Sequence, residues 1–281
     1  MRRFLKGFFN IVRSTLLIIS KYSKSPYTVE KNSSSNEIAR FFRLFSPYDT
    51  GHELIRIGSK GDGGYLVPDD LDGISQCFSP GVGATCAFEN HLASQFGVKC
   101  LLIDDTVTSP VGLHTLNSFE SLRIGLDSMP GVSVTLDNWV TNKVPTDNRD
   151  LLLQMDIETH EWLSLLSTSM NTLSRFRIMV IEFHSLSLVR FPYILERIYL
   201  PTITKLLVQF DVVHVHPNNS VGIFAHGRNN YPETLEVTFL RKNRRKSHER
   251  LSSFMHELDA PCNPNTSEIN IDTIISSGFK G

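Results

Sequence analysis

The 281 residues suit one large domain, or one domain with small appendages. Hydrophobic residues make up 41% and charged residues 20%, which argues against a disordered or fibrous chain and suits a soluble globule with a substantial core. The net charge of -1 is unevenly spread: residues 1–24 carry +6, residues 241–250 carry +5, and the remainder carries -12.

At the start of the chain Leu5, Phe9, Val12, Leu16 and Ile19 share one helical face flanked by basic residues. That is the pattern of an amphipathic helix lying on an anionic membrane surface, or of a helix packed on the body. The longest apolar run there, residues 16–19, is too short to span a bilayer. A cytoplasmic protein is the expectation, with a helix packed on the body favoured over peripheral membrane contact through residues 1–24. Residues 22–36 are polar, serine-rich and aperiodic, hence a linker. Residues 37–250 form the expected main domain, and residues 251–281 a C-terminal helix and tail.

Residues 37–45 resume a helical pattern through Ile38, Phe41, Phe42 and Phe45. The run Asp62-Gly63-Gly64-Tyr65 makes either a loop over a ligand, with Asp62 and Tyr65 reaching it, or a plain hairpin turn. Cys77 and Phe78 then lead into Ser79-Pro80-Gly81-Val82-Gly83, and a helix with Ala84, Phe88 and Leu92 on one face follows. Gly97 stops that helix, and residues 98–103 read as a buried strand ending in Asp104-Asp105. Strand, glycine turn, helix, strand and acid make one βαβ unit. Such a turn brings backbone close to a ligand at a helix N-terminus, and the acid suits the hydroxyls of a ribose. An ordinary βα turn is the plainer reading. The dinucleotide pattern G-x-G-x-x-G lacks its third glycine, because Cys86 stands there, which lowers NAD below S-adenosylmethionine. The four cysteines show no C-x-x-C spacing, so reduced thiols in the cytosol are expected.

Residues 106–150 are hard to read, with residues 119–126 or 132–136 as the third strand. Residues 151–155 form a buried strand ending in Asp156-Ile157-Glu158, followed by a helix with Trp162, Leu165 and Leu166. Residues 176–181 form the next strand, ending in Glu182-Phe183-His184. A helix around residues 192–199 leads to a strand over 206–213, which ends in His214-Val215-His216-Pro217-Asn218-Asn219. Residues 234–240 alternate, as an edge or antiparallel strand does. Alternating strands and helices predict a mostly parallel sheet covered on both faces. Gly81/Gly83, Asp104, Asp156/Glu158, Glu182/His184 and His214/His216 then line the rim where such sheets bind ligands.

These residues resemble FkbM-type S-adenosylmethionine-dependent methyltransferases. The resemblance is carried by Ser79-Pro80-Gly81-Val82-Gly83, by Asp104, by Leu153-Gln154-Met155-Asp156-Ile157-Glu158-Thr159-His160-Glu161-Trp162 and by His216-Pro217-Asn218-Asn219. It covers roughly residues 58 to 240. It implies a Rossmann-like class I methyltransferase fold, a mostly parallel α/β sheet with an antiparallel strand. It also implies O-methylation of a hydroxyl on a glycan or other small molecule. Ser79, Gly81, Gly83, Asp104 and Asp105 would contact the cofactor. Asp62, Tyr65, Glu158, His216, Asn218 and Asn219 would contact substrate. His184 is the expected general base, with Asp156 second. Thr159 and Gln154 depart from the family's usual glycine and lysine. A β-branched Thr159 is not expected to follow a glycine-only backbone path. Ser79 stands where many methyltransferases carry an acid. A binding module that has lost turnover is therefore an alternative, and a nicotinamide oxidoreductase another.

His214 and His216, with Asp211 just before them, offer a divalent-metal site without an evident third ligand; metal is not favoured. The basic run from Arg241 to Lys246 suits a phosphate-bearing partner or a solvated surface. With no interleaved aromatics, nucleic acid is not favoured.

Overall fold

Seven strands carry the molecule, in a computed structural model that describes residues 32–145 and 149–276. They are β1 (Ile74–Pro80), β2 (Lys99–Ile103), β3 (Ser118–Glu120), β4 (Asp150–Met155), β5 (Phe176–Phe183), β6 (Phe210–Pro217) and β7 (Leu235–Arg241). They hydrogen-bond in the order 3-2-1-4-5-7-6. β7 runs antiparallel to both its neighbours, and the pairs among β1 to β5 are parallel. The chain leaves β1 outward to β2 and β3, then returns to β4 on the other side. The order therefore reverses between β1 and β4, and a doubly wound sheet opens a crevice at such a point.

Both faces are covered, which is why the central strands read as unbroken apolar runs. One face carries α1 (Ser35–Phe42), α3 (Leu136–Lys143), α4 (Glu161–Ser167) and α5 (Leu200–Gln209), packed around Phe41, Trp162, Phe183 and Phe239. The other carries α2 (Ala87–Phe96) and an antiparallel hairpin of Leu54–Gly58 with Gly64–Pro68. Ser34 caps α1 in a reciprocal capping box with Glu37, so the helix begins before the expected residue 37. Gly97 ends α2 with φ 64, as expected, although the helix starts at Ala87 and leaves Ala84 in the turn.

Several expectations need correction. The third strand is Ser118–Glu120, which fits the first of the two alternatives at its start. The chain stays helical through Gln209 with a π turn at Leu195–Tyr199, so the strand expected over 206–213 begins only at Phe210. Of the two readings of residues 234–240 the antiparallel one holds: β7 is not an edge strand but lies between β5 and β6, buried nearly throughout. Its alternation reflects polar residues satisfied inside the protein. Thr238 Oγ1 donates to Leu66 O at 2.7 Å, and Glu236 pairs with His216.

Residues 251–271 are largely irregular, yet Phe254, Ile271, Ile274 and Ile275 enter the main core, so this segment is part of the body. The C-terminal helix is confined to Asp272–Ser276. The basic run is largely neutralised within the protein. Arg241 pairs with Asp150 at 2.5 Å, Arg244 with Asp70 at 2.6 Å and Arg245 with Asp211 at 3.1 Å. No helix among the described residues is long and apolar enough to cross a membrane. The amphipathic stretch 1–24 lies outside the described residues.

Candidate active site

The glycine corner follows β1. Gly81 has φ 86, and a Cβ built on it would stand 1.7 Å from the Asp156 carbonyl oxygen. Its hydrogen-only side is therefore taken up by the end of β4, and its glycine serves strand packing rather than a ligand. Gly83 differs. It too is left-handed, at φ 62, but nothing lies within 4 Å of the position its Cβ would take. Its N–H donates to Asp104 Oδ2 at 2.8 Å. Asp104 Oδ1 accepts from Thr106 N–H and Thr106 Oγ1–H, each at 2.6 Å. A carboxylate offers about four lone-pair sites. Three are filled within the protein, which leaves roughly one on Oδ2, beside the open face of Gly83.

Two expected cofactor contacts lie elsewhere. Asp105 points to the surface and pairs with Arg123 at 3.3 Å. Ser79 is fully buried, with its Oγ against Glu89 Oε1 and 2.7 Å from Gln154 Oε1. A hydroxyl has one proton to give. Burial pushes the Glu89 carboxyl up, and the Ser79 hydroxyl stands as a donor between the Glu89 and Gln154 oxygens. The departures Ser79 and Gln154 thus complete one buried chain with Glu89, a residue that sequence periodicity alone did not single out.

At the ends of β4 and β5 the carboxylates converge on His184. Its Nδ1 lies 3.1 Å from Glu161 Oε1, and its Nε2 lies 3.6 Å from Glu182 Oε1, 3.7 Å from Asp156 Oδ1 and 3.9 Å from Glu158 Oε2. Burial alone would lower the imidazole. The Glu161 hydrogen bond and the charges of Glu161, Glu182 and Asp156 outweigh it and raise His184 to about 10. An imidazole already protonated at neutral pH does not serve as the expected base. Burial raises Asp156 to about 7 despite the counteracting charge of His184, with Glu161 and Glu158 adding to the rise. Asp156 Oδ1 is buried and has no hydrogen-bond partner.

The backbone under this cluster is strained. Glu158 and Thr159 have φ 53 and 87, and Ser185 has φ 58. Thr159 thus does follow the left-handed path reserved for glycine, contrary to expectation. Its N–H donates to Glu161 Oε1 at 3.3 Å and its Oγ1 lies 2.9 Å from Ser185 Oγ. Glu161 also takes the Ile157 N–H at 2.9 Å. This fully buried carboxylate therefore organises both the strained turn and His184, and sequence reasoning gave it no role.

The expected substrate residues divide. Glu158 is mostly exposed at the cluster's edge. Asp62, exposed on the hairpin loop, has a carboxyl oxygen within 4.8 Å of those of Glu182 and Glu236. The run 61–65 is a hairpin turn with Tyr65 buried beneath it, its hydroxyl 3.4 Å from Glu182. Asn218 holds Glu182 Oε1 at 2.7 Å. Asn219 is spent on Asn263 and Thr266, so both asparagines build the structure rather than touch substrate. His216 is buried between Glu236 at 3.1 Å and Glu268 at 3.5 Å. Asp211 pairs with Arg245 and His248, and His214 with Asp259, so the metal set of Asp211, His214 and His216, the less favoured reading of the sequence, does not assemble.

A cavity of about 550 Å³ lies at the opposite end of β4, lined by Arg149, Asp150, Arg175 and Arg241. Its lining holds none of the rim groups, so the chemistry and this hollow do not coincide. Fold and site together define an α/β protein with a seven-stranded, mostly parallel sheet of Rossmann-like order and an acidic rim at the switch point. Comparison with protein-family models, curated proteins and solved structures finds no match.

Proposed function

We propose that the protein is an S-adenosylmethionine-dependent O-methyltransferase acting on a hydroxyl of a glycan or other small molecule. The observation that carries this reading is the Gly83–Asp104 contact at the switch point. The acid faces the glycine corner, retains one acceptor site, and borders the open face of Gly83. Those features fit the ribose end of the cofactor. The antiparallel β7 supports it, since the class I methyltransferase resemblance calls for one.

Bound there, the cofactor would supply an electrophilic methyl group. Gly83 and Asp104 would hold its ribose. The acceptor hydroxyl would meet the cluster at the ends of β4 and β5. The Asp156 carboxyl, part-exposed at the rim, would take the hydroxyl proton, raised as it is into the range where a base works near neutrality. Protonated His184, oriented by Glu161, would hold the acceptor oxygen and Asp156 together. Placement of the two reacting atoms can supply about 7–11 kcal/mol of the barrier, and the base about 10²–10⁴-fold.

Calorimetry with S-adenosylmethionine and with NAD, followed by methyl transfer to a panel of sugar acceptors, tests the proposal. The expected result is binding of S-adenosylmethionine alone, lost in Asp104→Ala, with transfer reduced about 10²–10⁴-fold in Asp156→Asn. Binding of NAD instead would overturn it. Binding without transfer to any hydroxyl would reduce the protein to a binding module.

A further inference from the structure

Three side chains outside the proposed catalytic cluster converge from distant parts of the chain. His216 ends β6, Glu236 sits opposite it on β7, and Cys262 comes from the irregular segment 251–271. Their donor atoms all lie within 4.8 Å of one another. Glu236 Oε2 is 3.1 Å from His216 Nδ1, and Glu236 Oε1 is 3.1 Å from Cys262 Sγ. Glu268, from the same irregular segment, reaches His216 Nε2 at 3.5 Å.

The thiol contact is unusual within this protein. Cys86 and Cys100 approach their oxygen partners at 3.5–3.6 Å, as thiol donors do, whereas Cys262 stands at 3.1 Å. The local charge is also unbalanced. Among the described residues no lysine or arginine pairs with Glu182, Glu236, Asp259 or Glu268; they face the imidazoles of His184, His214 and His216.

We propose that His216, Glu236 and Cys262 bind a zinc-like divalent cation that fastens residues 251–271 to the sheet. Nitrogen, sulfur and carboxylate donors together select a borderline-soft ion rather than magnesium or calcium. Three protein donors leave a fourth tetrahedral position to water, and the site stands independently of the methyltransferase reading.

The test uses the full chain, stripped with chelator and titrated with Zn²⁺ against a chromogenic competitor, then with Co²⁺. One equivalent should bind. The cobalt form should show thiolate-to-metal absorption, and bound zinc should slow alkylation of Cys262 at least tenfold. Cys262→Ser should abolish the absorption and weaken zinc at least tenfold. The wild-type spectrum decides even if that variant fails to fold. Absence of stoichiometric binding, a cobalt spectrum without thiolate absorption, or unchanged affinity in a folded Cys262→Ser would each overturn the proposal. Binding lost in Asp156→Asn but kept in Cys262→Ser would move the ion to the rim and overturn it equally.

Discussion

Alanine at Gly81 and at Gly83 should have opposite consequences, although the two residues are neighbours but one and both left-handed. Each substitution incurs the cost of a left-handed alanine, about 1–2 kcal/mol. At Gly83 nothing is added, since its Cβ would enter open space. At Gly81 the methyl would stand 1.7 Å from the Asp156 carbonyl oxygen and 2.5 Å from its carbon, both backbone atoms that cannot rotate away. The ends of β1 and β4 must part, an overpacking cost of about 1–3 kcal/mol or more, so the total is roughly 2–5 kcal/mol. In a domain of this size each kcal/mol lowers Tm by about 2–4 °C. Denaturant unfolding should therefore rank Gly81→Ala well below Gly83→Ala in stability. Calorimetry should rank them the other way for what Gly83 does: its folded alanine variant should bind S-adenosylmethionine at least tenfold more weakly, because the methyl fills the open corner beside Asp104. Equal destabilisation would refute the packing account of Gly81. Undiminished cofactor binding by Gly83→Ala would refute the assignment of the corner.

Glu161→Gln should bring the His184 imidazole down from about 10 towards its ordinary value, read by an NMR titration of the ring; an unmoved titration would remove Glu161 from its orienting role. Because the folded value is raised, His184 contributes stability that is full below about pH 6.5 and lost as pH rises through about 10. Asp150 has the opposite sign. Burial would raise it, but hydrogen bonds from Arg177 and Arg241 hold it below its ordinary 3.8, so its contribution is present above that value and lost as pH falls through the folded one. Asp150→Asn should cost about 1.5–3 kcal/mol at neutral pH by removing the charged acceptor shared by Arg177 and Arg241, while Arg177 keeps Asp70, and the gap to wild type should close in acid; a constant gap would argue against the pairing. Thr159→Gly should stay within about 1 kcal/mol of wild type, since relief of a strained threonine offsets the lost Ser185 contact. Thr159→Val keeps the strain and drops the hydroxyl, so it should unfold at lower denaturant than the glycine variant.

What the sequence determined was local. Residues 77–105 announce a βαβ unit because strand, glycine stop and second strand are encoded in short-range periodicity and in the one backbone path that Gly97 permits. Strand ends carrying Asp104, Asp156, Glu182 and His184 could be placed on one rim because parallel strands share a direction. The partners of those residues could not be read. Glu161 reads as an ordinary first-turn helix acid until the turn at 157–159 folds its carboxylate back onto three donors. Glu236 reads as the outward position of an alternating strand until β7 inserts between β5 and β6 and sets it between Glu182 and His216 in cross-strand register. Cys262 lies in a segment with no periodicity at all. Protonation is decided at that level too: His184 holds its proton because four carboxylates from three elements crowd it, and no spacing along the chain contains those distances. Backbone geometry propagates over a few residues and leaves its mark in the order of side chains, whereas the field at a buried group is summed over neighbours that only packing brings near.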